Sequence, residues 1–208
     1  MINPADIFNF STDYILENEY ALLRPLAKID LSKLMGFSTN EPELWKYYSV
    51  RPQEKDFFIN YFNGALKARD EKKEYPFIVF DKRENKYAGM TRLCDLQLSN
   101  KRLQIGFTWY GKQFQGTGLN KSCKFLLLKF LFEDFQFERV EFRADATNER
   151  SVAAMKSICC SVEGVLRSMS GRLDGTRRDA IVLSILKNEW TNNVKGLLEK
   201  KIKANAYG

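Results

Sequence analysis

The chain has 208 residues, 44% of them hydrophobic, with 33 Lys plus Arg against 26 Asp plus Glu, a net charge of +7 and no histidine. That length is one ordinary domain, able to bury roughly 70% of the surface its unfolded form exposes, so no disulfide or structural metal is needed to hold a core. The missing histidine excludes Ser-His-Asp and Cys-His nucleophile systems, H-E-x-x-H zinc proteases and every other imidazole site, leaving acid-base work to carboxylates, Lys, Tyr, Cys, Ser or water.

Cys94, Cys123, Cys159 and Cys160 contain no C-x-x-C pair and no zinc spacing, and read as free thiols in a reducing compartment. The N-terminal stretch alternates polar and apolar residues and carries Asp6, Asp13, Glu17 and Glu19, unlike a signal peptide. Apolar runs such as Phe125 to Leu128 fall far short of the roughly 18 residues a membrane span requires. The expectation is a cytoplasmic protein with no membrane contact and no metal. The basic excess suits either nucleic acid or a small polyanion such as a nucleotide cofactor. It is concentrated in Lys187, Lys195, Lys200, Lys201 and Lys203, which face only Glu189 and Glu199 and read as the solvated faces of a helix.

In chain order, Tyr20 to Leu26 predicts a first strand. Helical patterns follow around Leu31 to Gly36 and from Gln53 to Glu71, the second with Phe57, Phe58, Tyr61, Phe62, Ala65 and Leu66 on one broad face. Tyr75 to Asp81 reads as a strand, Lys82 to Asn85 as a turn, Lys86 to Leu98 as the returning strand and Arg102 to Tyr110 as a third. After Gly118, the spacing of Leu119, Cys123, Leu126, Leu127, Phe130 and Leu131 predicts a helix, and Phe125, Leu128 and Phe132 widen its apolar surface beyond one stripe. Arg139 to Ala146 is a strand, and Asn148 caps a further helix with Glu149 in its first turn. Val162 to Ser170, the Asp174-Gly175 turn and Ala180 to Leu186 form a closing hairpin. The order predicts an α+β fold with a mixed, mostly antiparallel central sheet flanked by helices. Residues 1–190 form a single domain and 191–208 a basic C-terminal helical tail. An exposed edge strand or that helix could pair two copies into a homodimer, and no feature of the sequence decides it.

The stretch Ile105 to Lys121 carries the chemistry. A strand runs through a Gly-containing turn into a helix, whose first N–H groups and positive dipole end bind phosphate. Gly111-x-x-x-x-Gly116 lacks the Lys-Ser/Thr of a Walker A loop, and position 121 is Lys where a dinucleotide fingerprint needs Gly or Ala. What remains, Gln113-x-x-Gly116-x-Gly118, resembles the pyrophosphate-binding motif of the GNAT N-acetyltransferases. Asn148-Glu-Arg-Ser151, Val162-Glu-Gly-Val-Leu-Arg167, Leu23-Arg24-Pro25, the Asp174 to Asp179 hairpin and Glu189-Trp190 are similar to the branch that holds the ribosomal-protein N-acetyltransferases. The resemblance covers roughly residues 14 to 190.

The resemblance implies the GNAT acyl-CoA fold, acetyl-CoA as cosubstrate and a primary amine as acceptor, either a protein N-terminus or a small molecule, attacking directly in a ternary complex. Phe107, Thr108 and Trp109 would offer backbone groups to the pantetheine arm, with a bulge aiming one N–H at the thioester oxygen. Main-chain amides of Phe114, Gln115, Gly116, Thr117, Gly118 and Leu119 would cradle the pyrophosphate, Gln113 would support the turn, and Lys112, Lys121, Lys124 and Arg150 would neighbour the phosphates. Asn148 would touch the pantetheine arm. Two departures stand out: Met155 replaces a common Tyr acid, and Gln104 replaces a Glu of close relatives. Ser151 resembles the Ser this branch carries instead of the Tyr, and equally fits a capping role. Glu141 and Asp145 share one strand face, and either could order a water that takes the amine's proton. Trp109, Tyr110 and Arg177-Arg178-Asp179 are candidates for the acceptor pocket, and Cys159-Cys160 for packing. The alternative readings are a CoA-binding protein with little catalysis, a transferase using another acyl-CoA, and a nucleic-acid binder using the basic tail.

Overall fold

In the computed structural model, which describes residues 8–47, 56–172 and 174–204, the chain runs β1 (Leu16–Glu17), β2 (Ala21–Pro25), α1 (Leu31–Asn40), α2 (Phe57–Asp70), β3 (Tyr75–Asp81), β4 (Lys86–Gln97), β5 (Arg102–Tyr110), α3 (Leu119–Lys129), β6 (Arg139–Asp145), α4 (Glu149–Ser157), β7 (Ser161–Gly171), β8 (Arg177–Leu186) and α5 (Lys195–Ala204). The strands make one sheet in the order β1-β2-β3-β4-β5-β6-β8-β7. Every pairing is antiparallel except β5 with β6, which needs the crossover that α3 supplies. This is the mixed, mostly antiparallel α+β layout the sequence predicts. Residues 53–55 of the second expected helix lie outside the described residues. Among the described residues, no helix is long and apolar enough to cross a membrane.

The sheet divides two cores. On one face, Tyr75, Phe77 and Val79 of β3 and Leu103 and Ile105 of β5 pack with α3, α4 and α5. On the other, Ile78, Met90 and Trp109 pack with Leu34 of α1, Leu44, Trp45 and Phe57, Phe58 and Phe62 of α2. Burial on both faces is why β3 reads as a nearly continuous apolar run rather than an alternating one. The entry to α1 is tied to β2 by an ion pair: both guanidinium nitrogens of Arg24 donate to the fully buried Asp30 carboxylate at 2.7 Å, and Lys33 donates at 2.9 Å. Burial alone would raise the Asp30 pKa, but the hydrogen bonds from Arg24 and Lys33 prevail and hold it below the ordinary aspartate value.

The C-terminal segment corrects the expectation of a merely solvated tail. Trp190, Val194, Leu198 and Ile202 recur every four residues and are buried against the main core, so one side of α5 is core and only the lysine side faces water. Trp190 stacks on Phe132 with ring centres 5.9 Å apart and donates its indole N–H to Glu133 at 2.9 Å. Wide five-residue turns at Phe130–Asp134 and Trp190–Val194, which the periodicity did not predict, bring these residues together.

Candidate active site

β5 pairs with β6 only from Arg102 to Gln104, against Arg139 to Glu141. Beyond that point β6 continues to Asp145 on β8, while β5 continues to Tyr110 on β4. The two central strands therefore splay, and the edge of β5 from Ile105 to Tyr110 is left without a strand partner on that side. Within the free stretch β5 bulges. Met90 pairs with Trp109 and Arg92 with Gly106, so Phe107 and Thr108 together oppose the single residue Thr91. Phe107 takes φ 50°, a conformation that is unfavourable for an aromatic residue. The Arg92 guanidinium lies over its ring at 4.5 Å and over the Tyr61 ring at 4.3 Å, and donates to Glu74 at 3.0 Å.

Past Tyr110 the chain turns through Gly111 to Gly118 into α3. Gly116 and Gly118 have φ 79° and 88°, accessible to glycine with little strain, and the space where a Gly116 Cβ would sit is open. The amides of Gly116, Thr117, Gly118, Asn120 and Lys121 meet no acceptor among the described residues. Unpaired N–H groups at a helix start beside an open gap form an anion cradle. The Leu119 amide has only a long contact, 3.4 Å, to the Thr117 hydroxyl, which itself donates to the Phe114 carbonyl. Phe114 is buried and anchors the turn.

The side chain that braces this loop is Gln115, not Gln113. Gln115 donates to the Tyr110 carbonyl at 2.8 Å and accepts from Arg150 of α4 at 2.6 Å, whereas Gln113 is exposed and bonds to none of the described residues. The motif's spacing pointed to the first glutamine, and nothing in the sequence separated the two. Lys112 and Lys121 lie at the rim, but Lys124 is no phosphate neighbour: it is 4% exposed, inside the molecule.

Across the gap, Asn148 accepts the Ser151 amide at 3.1 Å and caps α4. Ser151 is thus not the cap, and its hydroxyl has no partner among the described residues. Asp145 shapes the approach: it accepts from the Thr147 amide at 2.9 Å, the Thr147 hydroxyl at 2.7 Å and Arg172 at 2.7 Å. Burial raises its pKa, and the Arg172 and Thr147 hydrogen bonds more than reverse this. Tyr47 donates to the Thr147 carbonyl, and Arg178 donates to the Tyr47 carbonyl, so Arg178 stands near this mouth. Arg177 and Asp179 instead bond to Ser168 of β7.

Glu141 does not stand free on its strand. It accepts from Arg139 and Arg143, each at 2.9 Å, and from Arg102 at 3.4 Å. Burial pushes its pKa up, the Arg139 and Arg143 hydrogen bonds pull it further down, and the result is a carboxylate with little affinity for a proton. Trp109 is 5% exposed and packed against Phe37, Trp45 and Phe58, so only its backbone faces the gap. Burial pushes the Cys94 and Cys123 thiols up to about 12 and the Cys160 thiol higher still, consistent with packing. Among the described residues no group of three or more Cys, Asp or Glu could hold a metal ion.

Comparison with known proteins agrees with this geometry. Residues 21–159 match the family model described as an acetyltransferase (GNAT) domain. A Bacillus subtilis (strain 168) protein named "Putative ribosomal N-acetyltransferase YdaF" is 32% identical over 102 residues, covering 49% of this chain and 55% of that protein. The crystal structure of a GCN5-related N-acetyltransferase from Brucella melitensis superposes with a TM-score of 0.84 at 22% identity, over 93% of this chain and 87% of the other. Mycobacterium smegmatis RimJ, solved in complex with CoA-disulfide, superposes with a TM-score of 0.73 at 17% identity over 91% and 93%. The family match spans the bulged strand, the unpaired amides and the capped helix, and the chain belongs to the GNAT acetyltransferases, which move an acetyl group from acetyl-CoA to an amine.

Proposed function

We propose that the splayed gap between β5 and β6 seats the acetyl-pantetheine arm and that the acceptor is the α-amine of a protein chain, attacking the thioester directly in a ternary complex. The observation that carries the reading is the set of acceptorless amides of Gly116, Thr117, Gly118, Asn120 and Lys121 at the head of α3, opening onto that gap. Pyrophosphate binds these N–H groups, with Gly116 and Gly118 allowing close approach. Phe107, Thr108 and Trp109 present backbone groups to the pantetheine, and an N–H of the bulge meets the thioester oxygen. One such donor contributes typically about 10²- to 10³-fold in rate. Asn148 and Ser151 line the opposite wall, where the Ser151 hydroxyl donates to the departing sulfur.

In the reaction the amine nitrogen bonds to the carbonyl carbon, the C–S bond breaks, and the thiolate leaves. The extra proton on nitrogen goes to solvent, because Glu141 and Asp145 are both committed to arginines. A protein N-terminus is favoured as acceptor by the relative from Bacillus subtilis named for ribosomal substrates. The acceptor is tested by following thiol release from acetyl-CoA with peptides bearing free N-termini, the same peptides N-terminally blocked, and small amines. Release with free N-termini and none with blocked ones is expected; release only with small amines or with lysine side chains would overturn the assignment.

A further inference from the structure

Lys124 is the buried charge that this mechanism leaves unused. It projects from α3, with no carboxylate in ion-pair distance among the described residues. Its Nζ donates to Thr108 Oγ1 of β5 at 2.9 Å and to Thr91 Oγ1 of β4 at 3.3 Å. It also lies 5.9 Å from the centre of the Phe142 ring on β6. One ammonium thus spans the floor of the gap, from the free edge of β5 to β6. The other titratable groups acting on it are the thiols of Cys123 on its own helix, Cys160 ahead of β7 and Cys94 on β4.

The two threonine hydroxyls are 2.7 Å apart. Either hydroxyl can be the donor in that contact. In the arrangement with Thr91 donating, Lys124 and Thr91 fill both lone pairs of the Thr108 hydroxyl, and its own hydrogen keeps only the Gly106 carbonyl, at 3.5 Å, as an acceptor inside the protein. Thr108 is also half of the bulge. A buried, unpaired ammonium is expensive to keep where a methionine of similar shape would pack without charge.

We propose that Lys124 supplies the proton that neutralises the departing CoA thiolate, passing it through the Thr108 hydroxyl. Sulfur takes the Thr108 hydrogen as the C–S bond breaks, and Thr108 takes one from Lys124. The net change is one N–H bond broken and one S–H bond formed. The neutral amine regains a proton from solvent before the next turnover. Burial lowers the Lys124 pKa from its usual 10.5 to about 8, close to that of a thiol, which suits transfer at neutral pH. Ser151 cannot do this alone, because a serine hydroxyl that gave up its proton would be left as an alkoxide. The assignment rests on the thioester lying in the β5–β6 gap.

The test compares wild type with Lys124→Met, Thr108→Val and Thr108→Ser. Acetyl-CoA affinity is read by calorimetry, and kcat against pH by thiol release to a peptide with a free N-terminus. The acceptor-free hydrolysis of acetyl-CoA, which expels the same thiolate, gives a second reading independent of the acceptor. Wild-type kcat is expected to fall above about pH 8 as Lys124 deprotonates. The acceptor amine cannot cause that fall, since losing its proton makes it a better nucleophile. Lys124→Met and Thr108→Val are expected to keep affinity within about 2-fold, lose roughly 10²-fold in kcat and lose the alkaline fall, with Thr108→Ser largely restoring both. Unchanged kcat and an unchanged alkaline fall in Lys124→Met would overturn the proposal. So would a loss confined to affinity, which would make Lys124 a binding group. Absence of acetyl-CoA binding by wild type would instead remove the seat on which the assignment rests.

Discussion

At the scale of single residues, Lys124 links stability to pH. Its folded pKa, about 8, lies below its unfolded value of 10.5 because burial disfavours the ammonium. The unfolded chain therefore binds more protons between those two values, and stability rises with pH across that window. The penalty is fully present below pH 8 and gone above 10.5. Lys124→Met is expected to be more stable than wild type by about 3 kcal/mol at pH 7, from roughly 1.4 kcal/mol per pKa unit. The advantage should shrink toward pH 10.5, which urea melts at several pH values would check. A constant difference across the window would contradict the account. The sequence held a sign of this residue: Lys124 precedes Leu128 by four and Leu131 by seven, both fully buried, and so shares their helix face. Its closeness to the phosphate loop, with Lys121 beside it, pointed the other way. Glu141 shows the opposite limit. Its place on a strand face, with Arg139 and Arg143 two residues to either side, follows from alternation, but its third partner, Arg102, is brought close only by the pairing of β5 with β6.

At the scale of elements, the sequence showed α3 and α4 clearly, because a 3.6-residue period and an Asn cap are local signals. The bulge and the splay were not legible in the same way. Both are relations between strands: one extra residue on β5 against β4, and a pairing of β5 with β6 that stops after three residues. The resemblance supplied the bulge, and neither spacing nor composition did. Arg92 holds it in place from the far face, sandwiched between Tyr61 and Phe107 and bonded to Glu74. Arg92→Ala leaves Glu74 unpaired and Phe107 unsupported at its positive φ, and is expected to lower stability by about 3 kcal/mol. It should also reduce kcat more than acetyl-CoA affinity, because the displaced N–H matters most as charge develops on oxygen. Arg92→Lys keeps the charge but not the planar stacking, and should recover only part of the loss. Denaturant melts alongside steady-state kinetics read both effects; wild-type values for Arg92→Ala would show that the clamp is not needed.

At the scale of the whole molecule, the order of predicted elements placed the chain among α+β proteins, and the sheet of eight strands with a helical layer on each face agrees. The C-terminal helix was half legible. Lys200 and Lys203 face solvent as expected, but Lys195 pairs with Glu133, Lys201 donates to the Ser157 carbonyl, and the four-residue recurrence of Trp190, Val194, Leu198 and Ile202 lies beneath the charge. Truncation after Trp190 removes Val194, Leu198 and Ile202 from the core and uncovers α3. At roughly 1.5 to 3 kcal/mol for each buried side chain, stability should fall by about 5 kcal/mol, read as a lower urea midpoint. A truncated chain as stable as the full one would return the segment to the status of a solvated tail.

The proposed seat for the polyanionic cosubstrate is the set of unpaired amides at the head of α3, with Lys112, Lys121 and Arg150 nearby. The most direct measurement of that claim is a calorimetric titration of the protein with acetyl-CoA, repeated with Gly118→Trp, whose side chain strains the left-handed backbone and fills the cradle. The account predicts saturable binding to the wild type at one site per chain, and loss of that binding in a variant that still unfolds cooperatively. No binding heat with wild type, or undiminished affinity in Gly118→Trp, would contradict it.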